Sequence, residues 1–428
     1  MQHLRTRHIL LWIAAAGFVA TAQAQVHDLP RAEPESVGMS SERLARITAT
    51  LRADVEAHKI PGAVLLVARQ GKVVQYEAIG RIDPAAGDTP MTKDAIFRIY
   101  SMSKPITSVT AMMLVEEGKL KLDDPLSKYI PAFAKVQVGV EKPGPAGEKP
   151  TLEPVPARRQ ITIQDLMRHT SGLTYGFFGN SLVKTAYNEA KIFAGDPTNE
   201  VVAERLAALP LAYQPGSTWD YSHSTDVLGR VIEVVTGKSL YQTEKERLLD
   251  PLGMPDTAFH VADAAKCRRI AEPFANDRNF GVNSDFSDPR VAIRYESGGG
   301  GMVSTAMEYA RFLQMMLNGG TLDGRRYLSP KTVAYMTSDH LGTAVAVTPL
   351  YLPGPGYGFG LGFAVRRTTG EAAHPAEAGS YFWGGAGGTY FWVDPKTDLF
   401  VVLMLQSPKE RVHYRALTHD MVYAAVMK

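Results

Sequence analysis

The sequence predicts an α/β protein: one antiparallel sheet built from both ends of the chain and flanked by helices, with a mostly helical lobe inserted between the two halves. Three observations predict it. GAVLLVARQGKVVQYEAIG near the start and GTYFWVDPKTDLFVVLMLQ near the end each read as two apolar, β-branched runs around a turn. Helical spacing flanks both hairpins, in SSERLARITATLRADVEAHK and in RALTHDMVYAAVM. Between them the apolar spacing is helical or irregular. The expected division is an α/β lobe of about 30–100 plus 295–428 and a helical lobe of about 101–294, within one domain of 25–428.

Taken in order, residues 1–24 read as a secretory leader. Arg5 and Arg7 precede the apolar run ILLWIAAAGFVATA, and Ala22 and Ala24 make a small-residue cleavage pattern. The run is short for a membrane span and polar sequence follows at once, so no stable membrane anchor is expected. This places the mature chain in the periplasm or outside the cell. Next comes a helix with Leu44, Ile47, Leu51 and Val55 on one side. The first hairpin turns over Arg69 to Lys72. A strand-like run from Ile96 to Tyr100 then gives way to a helix carrying Ile106, Val109, Met113 and Glu117, stopped at Gly118. The segment EKPGPAGEKPTLEPVP is too rich in Pro and Gly to be regular structure. A PGS turn later leads through Tyr221-Ser222-His223 into a helix with Val227, Val231 and Val234 inward.

Composition narrows the function. Net charge is +2 and charged residues make up 21%, which gives no footprint for nucleic acid or another polyanionic partner. The single cysteine, Cys267, can form no internal disulfide and belongs to no metal-binding spacing. No phosphate loop and no HExxH pair occurs, so neither cofactor nor metal is expected. The GGGG run at 298–301 lacks the strand, helix and acidic partner of a dinucleotide loop and reads as a tight turn. Without a GxSxG pentapeptide, a nucleophile elbow is excluded too. Oligomeric state is left open.

The chemistry centres on RIYSMSKPITS. Pro105 suits the first turn of a helix, so Ser101 stands at its start, where free N–H groups and the positive end of the dipole point outward. Residues three apart share a face, which lets Lys104 reach the Ser101 hydroxyl. A serine attacks only if a neighbour takes its proton. Bringing a lysine from its usual value near 10.4 to neutrality costs about 4 kcal/mol, of which a helix N-terminus supplies about 0.3 to 2. Lys104 must therefore be largely desolvated. The competing reading makes Ser101 a helix cap and Lys104 a solvated charge. A second SxxK, Ser181 to Lys184, has no preceding strand and reads as coincidence.

Two further stretches join the first: Tyr221-Ser222-His223, and Trp383-Gly384-Gly385 before the final hairpin. Together the three resemble the serine penicillin-recognising hydrolases, with class C β-lactamases, D,D-peptidases and, most closely, the family VIII carboxylesterases. The likeness runs over nearly the whole mature chain, including IQDLMRHTSGL around His169 and GGGGMVSTAMEYARFLQMMLNGG. It implies a β-lactamase/transpeptidase-like fold and a serine hydrolase with these roles. Ser101 is the nucleophile, Lys104 and Tyr221 share general base and acid, and the N–H groups of Ser101 and Ala386 form the oxyanion hole. His223, Trp383, Gly384 and Gly385 are the expected substrate-binding residues. Where lactamases carry lysine in the third motif this chain has Trp383, and the missing charge-assisted contact is worth about 1.5 to 3 kcal/mol. That favours small-molecule esters, with the indole as an apolar wall. A β-lactam-like substrate or D-amino-acid peptide, or a non-catalytic binding protein on the same scaffold, is the alternative. His223 stands where lactamases have asparagine and is expected to bond Lys104 or the substrate, its neutral form favouring a deprotonated amine. His169 reads as structural. Phe177, Phe178, Tyr357 and Phe382 are candidates to line an apolar pocket.

Overall fold

The computed structural model describes residues 28–145, 148–279 and 286–428; the expected leader lies outside the described residues. The elements that position the site are strands β1 (Gly62–Arg69), β2 (Lys72–Gly80), β3 (Tyr357–Phe359), β4 (Ala364–Arg366), β5 (Tyr381–Gly384), β6 (Tyr390–Asp394) and β7 (Leu399–Leu405). With them go helices α1 (Ser41–Glu56), α2 (Ser103–Glu116), α3 (Leu182–Glu189), α4 (Ser224–Thr236), α5 (Ala306–Leu317) and α6 (Arg411–Ala424).

The seven strands form one antiparallel sheet in the order β3-β4-β5-β6-β7-β1-β2. The first and last strands are thus neighbours, paired Leu65 to Leu403 and Leu66 to Val402. Between β1 and β2 the chain reverses over Gln70 and Gly71, at φ of 52° and 71°. Two successive positive φ values match the right-handed twist of the flanking strands, which is why a glycine stands there.

Both faces of the central strands are covered, so the expected alternation appears as two different sets of neighbours. Leu65, Val67, Val401, Leu403 and Trp392 pack on Leu44, Ile47 and Leu51 of α1 and on Tyr414 and Val422 of α6. Val64, Leu66, Val402, Met404 and Phe391 face the other way, onto Phe312 and Leu313 of α5 and the core of the helical lobe. Each such fully buried aliphatic side chain stabilises the fold by about 1.5 to 3 kcal/mol. Among the described residues no helix is long and apolar enough to cross a membrane.

Two details depart from the sequence reading. Gln137–Lys142 and Thr151–Pro156 form a regular two-stranded ribbon, with Gly139 opposite Pro154 and Gln137 opposite Pro156. The prolines are tolerated because a two-stranded ribbon has only edge strands, whose outward N–H groups need no partner. Its apolar side chains, Val138, Leu152 and Val155, pack on the helical lobe. In α4 the buried stripe is Val227, Leu228, Val231 and Ile232, whereas Val234 is exposed. The stripe is wider than three valines, and the last turn before Gly237 leaves it.

Candidate active site

Ser101 sits in a 3-10 turn, Tyr100–Met102, wedged between the two-residue strand Phe97–Arg98 and α2. Tyr100 has φ of 43°, a costly conformation for a residue with a side chain. Several bonds hold it there. The Ser103 hydroxyl donates to the Tyr100 carbonyl at 2.7 Å and accepts from the Met302 N–H at 3.1 Å. The Tyr309 phenol donates to the Met102 carbonyl at 2.9 Å, and Thr389 donates to the Ile99 carbonyl at 3.3 Å. The Ser101 hydroxyl does not cap α2, which has no side-chain cap.

Lys104, in the first turn of α2, is 1% exposed. Its Nζ donates to the Gly299 carbonyl at 2.6 Å, to Ser101 Oγ at 3.3 Å and to the Tyr175 phenol at 3.4 Å. The same atom lies 4.5 Å from the centre of the Tyr221 ring. Lys104 is therefore no surface charge, and the desolvation that the sequence demanded of it is present. The second SxxK is the reverse. Ser181 Oγ accepts from the Lys184 N–H at 3.1 Å and caps α3, while Lys184 turns away to the Phe178 carbonyl and to Asp220, 3.6 Å distant.

Tyr221 lies beside Lys104, and its phenol oxygen accepts a hydrogen bond from Trp383 Nε1 at 3.2 Å. Trp383 was expected on the substrate wall. Its indole is 4% exposed and packs edge-on to Phe359 at 5.3 Å, on the face of β5 turned to Tyr221. The room at Gly384 and Gly385 is likewise occupied by the protein. A Cβ on Gly384 would lie 2.7 Å from the Arg415 guanidinium, and one on Gly385 would lie 2.4 Å from the Ile99 carbonyl. The structure brings none of these three to the cavity wall. Arg415, unmarked in the sequence, donates to the Gly385 and Thr389 carbonyls and braces the turn that carries Ala386. Burial lowers its pKa to about 10, so it remains charged at neutrality.

Ser101, Tyr221, His223 and Ala386 line one cavity of about 310 Å³. Its walls are aromatic: Tyr175, Phe177, Phe178 and Phe193 join Tyr221. Phe177 and Phe178 are thus where the sequence expected them. Tyr357 and Phe382 instead pack on each other at 5.0 Å in the sheet. A larger groove of about 800 Å³ between α1 and β2 is open and lined by solvated charges such as Arg52 and Glu77.

His223 does not reach Lys104 through Nδ1, which lies 3.1 Å from Asp226 Oδ2. Asp226 is buried, which would raise its pKa, yet the bond from His223, the charge of Lys104 and the Ser297 hydroxyl bring it down to about 2. Tyr175 is a phenol pushed well up, by burial and then by the Asp226 charge. His169 Nδ1 lies 3.3 Å from Ser222 Oγ and its ring packs 4.9 Å from Tyr221. Burial and the nearby Lys104 charge hold its pKa well down, leaving it a neutral packing group. The glycine run is a turn, with the Gly300 and Gly301 N–H groups bonded to the Ser297 carbonyl at 3.1 and 2.8 Å.

Sequence reasoning missed Tyr175, Gly299, Asp226 and Arg415. Only Asp226 carried a signal, its spacing of three from His223 at a helix start.

Comparison with known proteins gives the family. The model of the beta-lactamase family matches residues 47–424. Protein Rv1367c of Mycobacterium tuberculosis is 38% identical over 366 residues, covering 84% of this chain and 88% of that protein. Esterase EstB of Burkholderia gladioli is 31% identical over 407 residues, covering 88% and 94%. The solved structure of EstCE1, described as a hydrolase with promiscuous acyltransferase activity, superposes with a TM-score of 0.74 at 29% identity, covering 89% of this chain and 98% of that one. This chain belongs to the beta-lactamase family, within the serine penicillin-recognising superfamily and close to its family VIII esterases, and is a serine hydrolase.

Proposed function

We propose that the protein is a carboxylesterase working through an acyl-enzyme on Ser101. The observation that supports the reading most is a buried Lys104 whose Nζ is 3.3 Å from Ser101 Oγ and 4.5 Å from the Tyr221 ring, beside an aromatic cavity. Ser101 Oγ attacks the acyl carbonyl and its proton passes to the Lys104–Tyr221 pair. The pair returns the proton to the departing alcohol. Water then attacks the acyl carbon, gives a proton to the same pair, and Ser101 recovers it as the acid leaves. The Ser101 and Ala386 N–H groups take the developing oxyanion. The bond from Trp383 to Tyr221 supports the phenol's part, since a donor at that oxygen stabilises negative charge developing on it. The leader-like pattern of residues 1–24 supports a reaction carried out in the periplasm or outside the cell.

One observation favours a second reading. Arg411 lines the same cavity, and a guanidinium can receive the carboxylate of a β-lactam or a peptide. A panel of p-nitrophenyl esters, nitrocefin and D-alanyl peptides separates the two. The esterase reading expects p-nitrophenyl butyrate to be turned over well ahead of nitrocefin, and equal rates would favour the second. Intact-mass detection of a fluorophosphonate adduct on Ser101, lost in Ser101→Ala, tests the nucleophile. An adduct on Ser181 would overturn the assignment.

A further inference from the structure

We propose that Asp226 is the positioning residue of this site, holding Lys104 through the turn at 297–300 and supplying the negative charge against which its ammonium forms. The inference rests on the Ser101–Lys104 reading above. Three donors converge on the Asp226 carboxylate: Ser297 Oγ at 2.6 Å, the Gly299 N–H at 3.0 Å and His223 Nδ1 at 3.1 Å. Gly299 is the link. Its N–H goes to Asp226 and its carbonyl accepts from Lys104 Nζ at 2.6 Å, closer than the contacts of that nitrogen with Ser101 and Tyr175. The residue must be glycine because a Cβ would lie 2.8 Å from a carboxylate oxygen of Asp226. Moving the carboxylate therefore moves the carbonyl that aims Lys104 at Ser101.

The charge matters as well as the bonds. Asp226 is faced by His223 at the start of its own helix, by Lys104 from α2, and by the phenols of Tyr175 and Tyr295. His169 feels both Lys104 and Asp226. Both phenols are pushed well up by burial and by the Asp226 charge, and so stay neutral. The carboxylate is then the charge that balances Lys104 after it takes the serine proton, a demand that rises in the transition state. Removing the charge while keeping the shape withdraws the favourable field at the base that the acid limb of the rate profile reports, and weakens the ion pair formed on attack.

The experiment compares Asp226→Asn and Asp226→Glu with the wild type on p-nitrophenyl butyrate across pH 5 to 9, alongside their melting temperatures. The expected result for Asp226→Asn is an acid limb of kcat/KM displaced downward by about 1 pH unit, with kcat on the plateau about 10-fold lower. Asp226→Glu keeps the charge and is expected to return the acid limb to the wild-type position even where its rate is lower. A pH profile that stays in place in Asp226→Asn, with only the melting temperature changed, would overturn the proposal and leave Asp226 a brace. Failure of the underlying reading looks different: Ser101→Ala would still turn over substrate.

Discussion

Replacing Trp383 by Phe separates two roles for the indole. In the structure it donates to Tyr221 Oη at 3.2 Å and is 4% exposed, away from the cavity wall. A hydrogen bond to a neutral phenol contributes about 0.5 to 1.5 kcal/mol, and one to a charged oxygen about 1.5 to 3. The difference, about 1 to 1.5 kcal/mol, is what the indole adds specifically to the transition state. At about 1.4 kcal/mol per decade this predicts a loss of kcat of about 5- to 12-fold in Trp383→Phe with KM nearly unchanged. Phe keeps most of the packing against Phe359, so the cost in stability is about 1 to 2 kcal/mol and a melting curve verifies folding. Steady-state kinetics on p-nitrophenyl acetate, butyrate and octanoate give kcat and KM separately. An unchanged kcat with KM raised about 10-fold for the longer esters would refute the reasoning and restore the indole to the substrate wall.

Truncating Phe177, 43% exposed on the cavity wall, removes apolar contact to the acyl chain. Phe177→Ala should raise KM for p-nitrophenyl octanoate about 5-fold and leave the acetate ester unaffected, as a chain-length series would record. Ser181→Ala loses the cap of α3 and about 1 kcal/mol of stability, read from urea midpoints, while esterase activity is retained. Glu308 of α5 accepts from Thr257 Oγ1 at 2.6 Å and from the Asp256 N–H at 2.9 Å, and burial raises its pKa to about 7. Between pH 4.5 and 7 the folded chain then holds a proton that the unfolded chain has released, so stability falls as pH rises through that window. Glu308→Gln should abolish that fall and be more stable than the wild type by about 3 kcal/mol at pH 8, with little difference at pH 4.5.

The parts of the fold that were legible are those whose pattern is local. The central strands read as near-continuous apolar runs because both faces are covered, and the turn at Gln70-Gly71 announces itself by a glycine where φ must be positive. Ser101 and Lys104 are one helical turn apart, so spacing alone predicted their meeting. Tyr175 and Gly299 come to Lys104 from 71 and 195 residues away, and no local pattern encodes such a contact. Trp383 shows a subtler limit. Alternation in β5 predicts that Tyr381 and Trp383 share a face, but which face looks to the cavity depends on what packs on it. The ribbon of Gln137–Lys142 and Thr151–Pro156 escaped notice because proline content argues against strands in general but not against edge strands.

The proposed chemistry turns on proton transfer from Ser101 to a desolvated amine at position 104. It is tested most directly by the pseudo-first-order rate of fluorophosphonate labelling of Ser101, followed by intact mass at pH 8, in the wild type and in Lys104→Met. The variant should label about 100- to 10,000-fold more slowly, at a melting temperature that shows it folded. Labelling at the wild-type rate without the amine would contradict it.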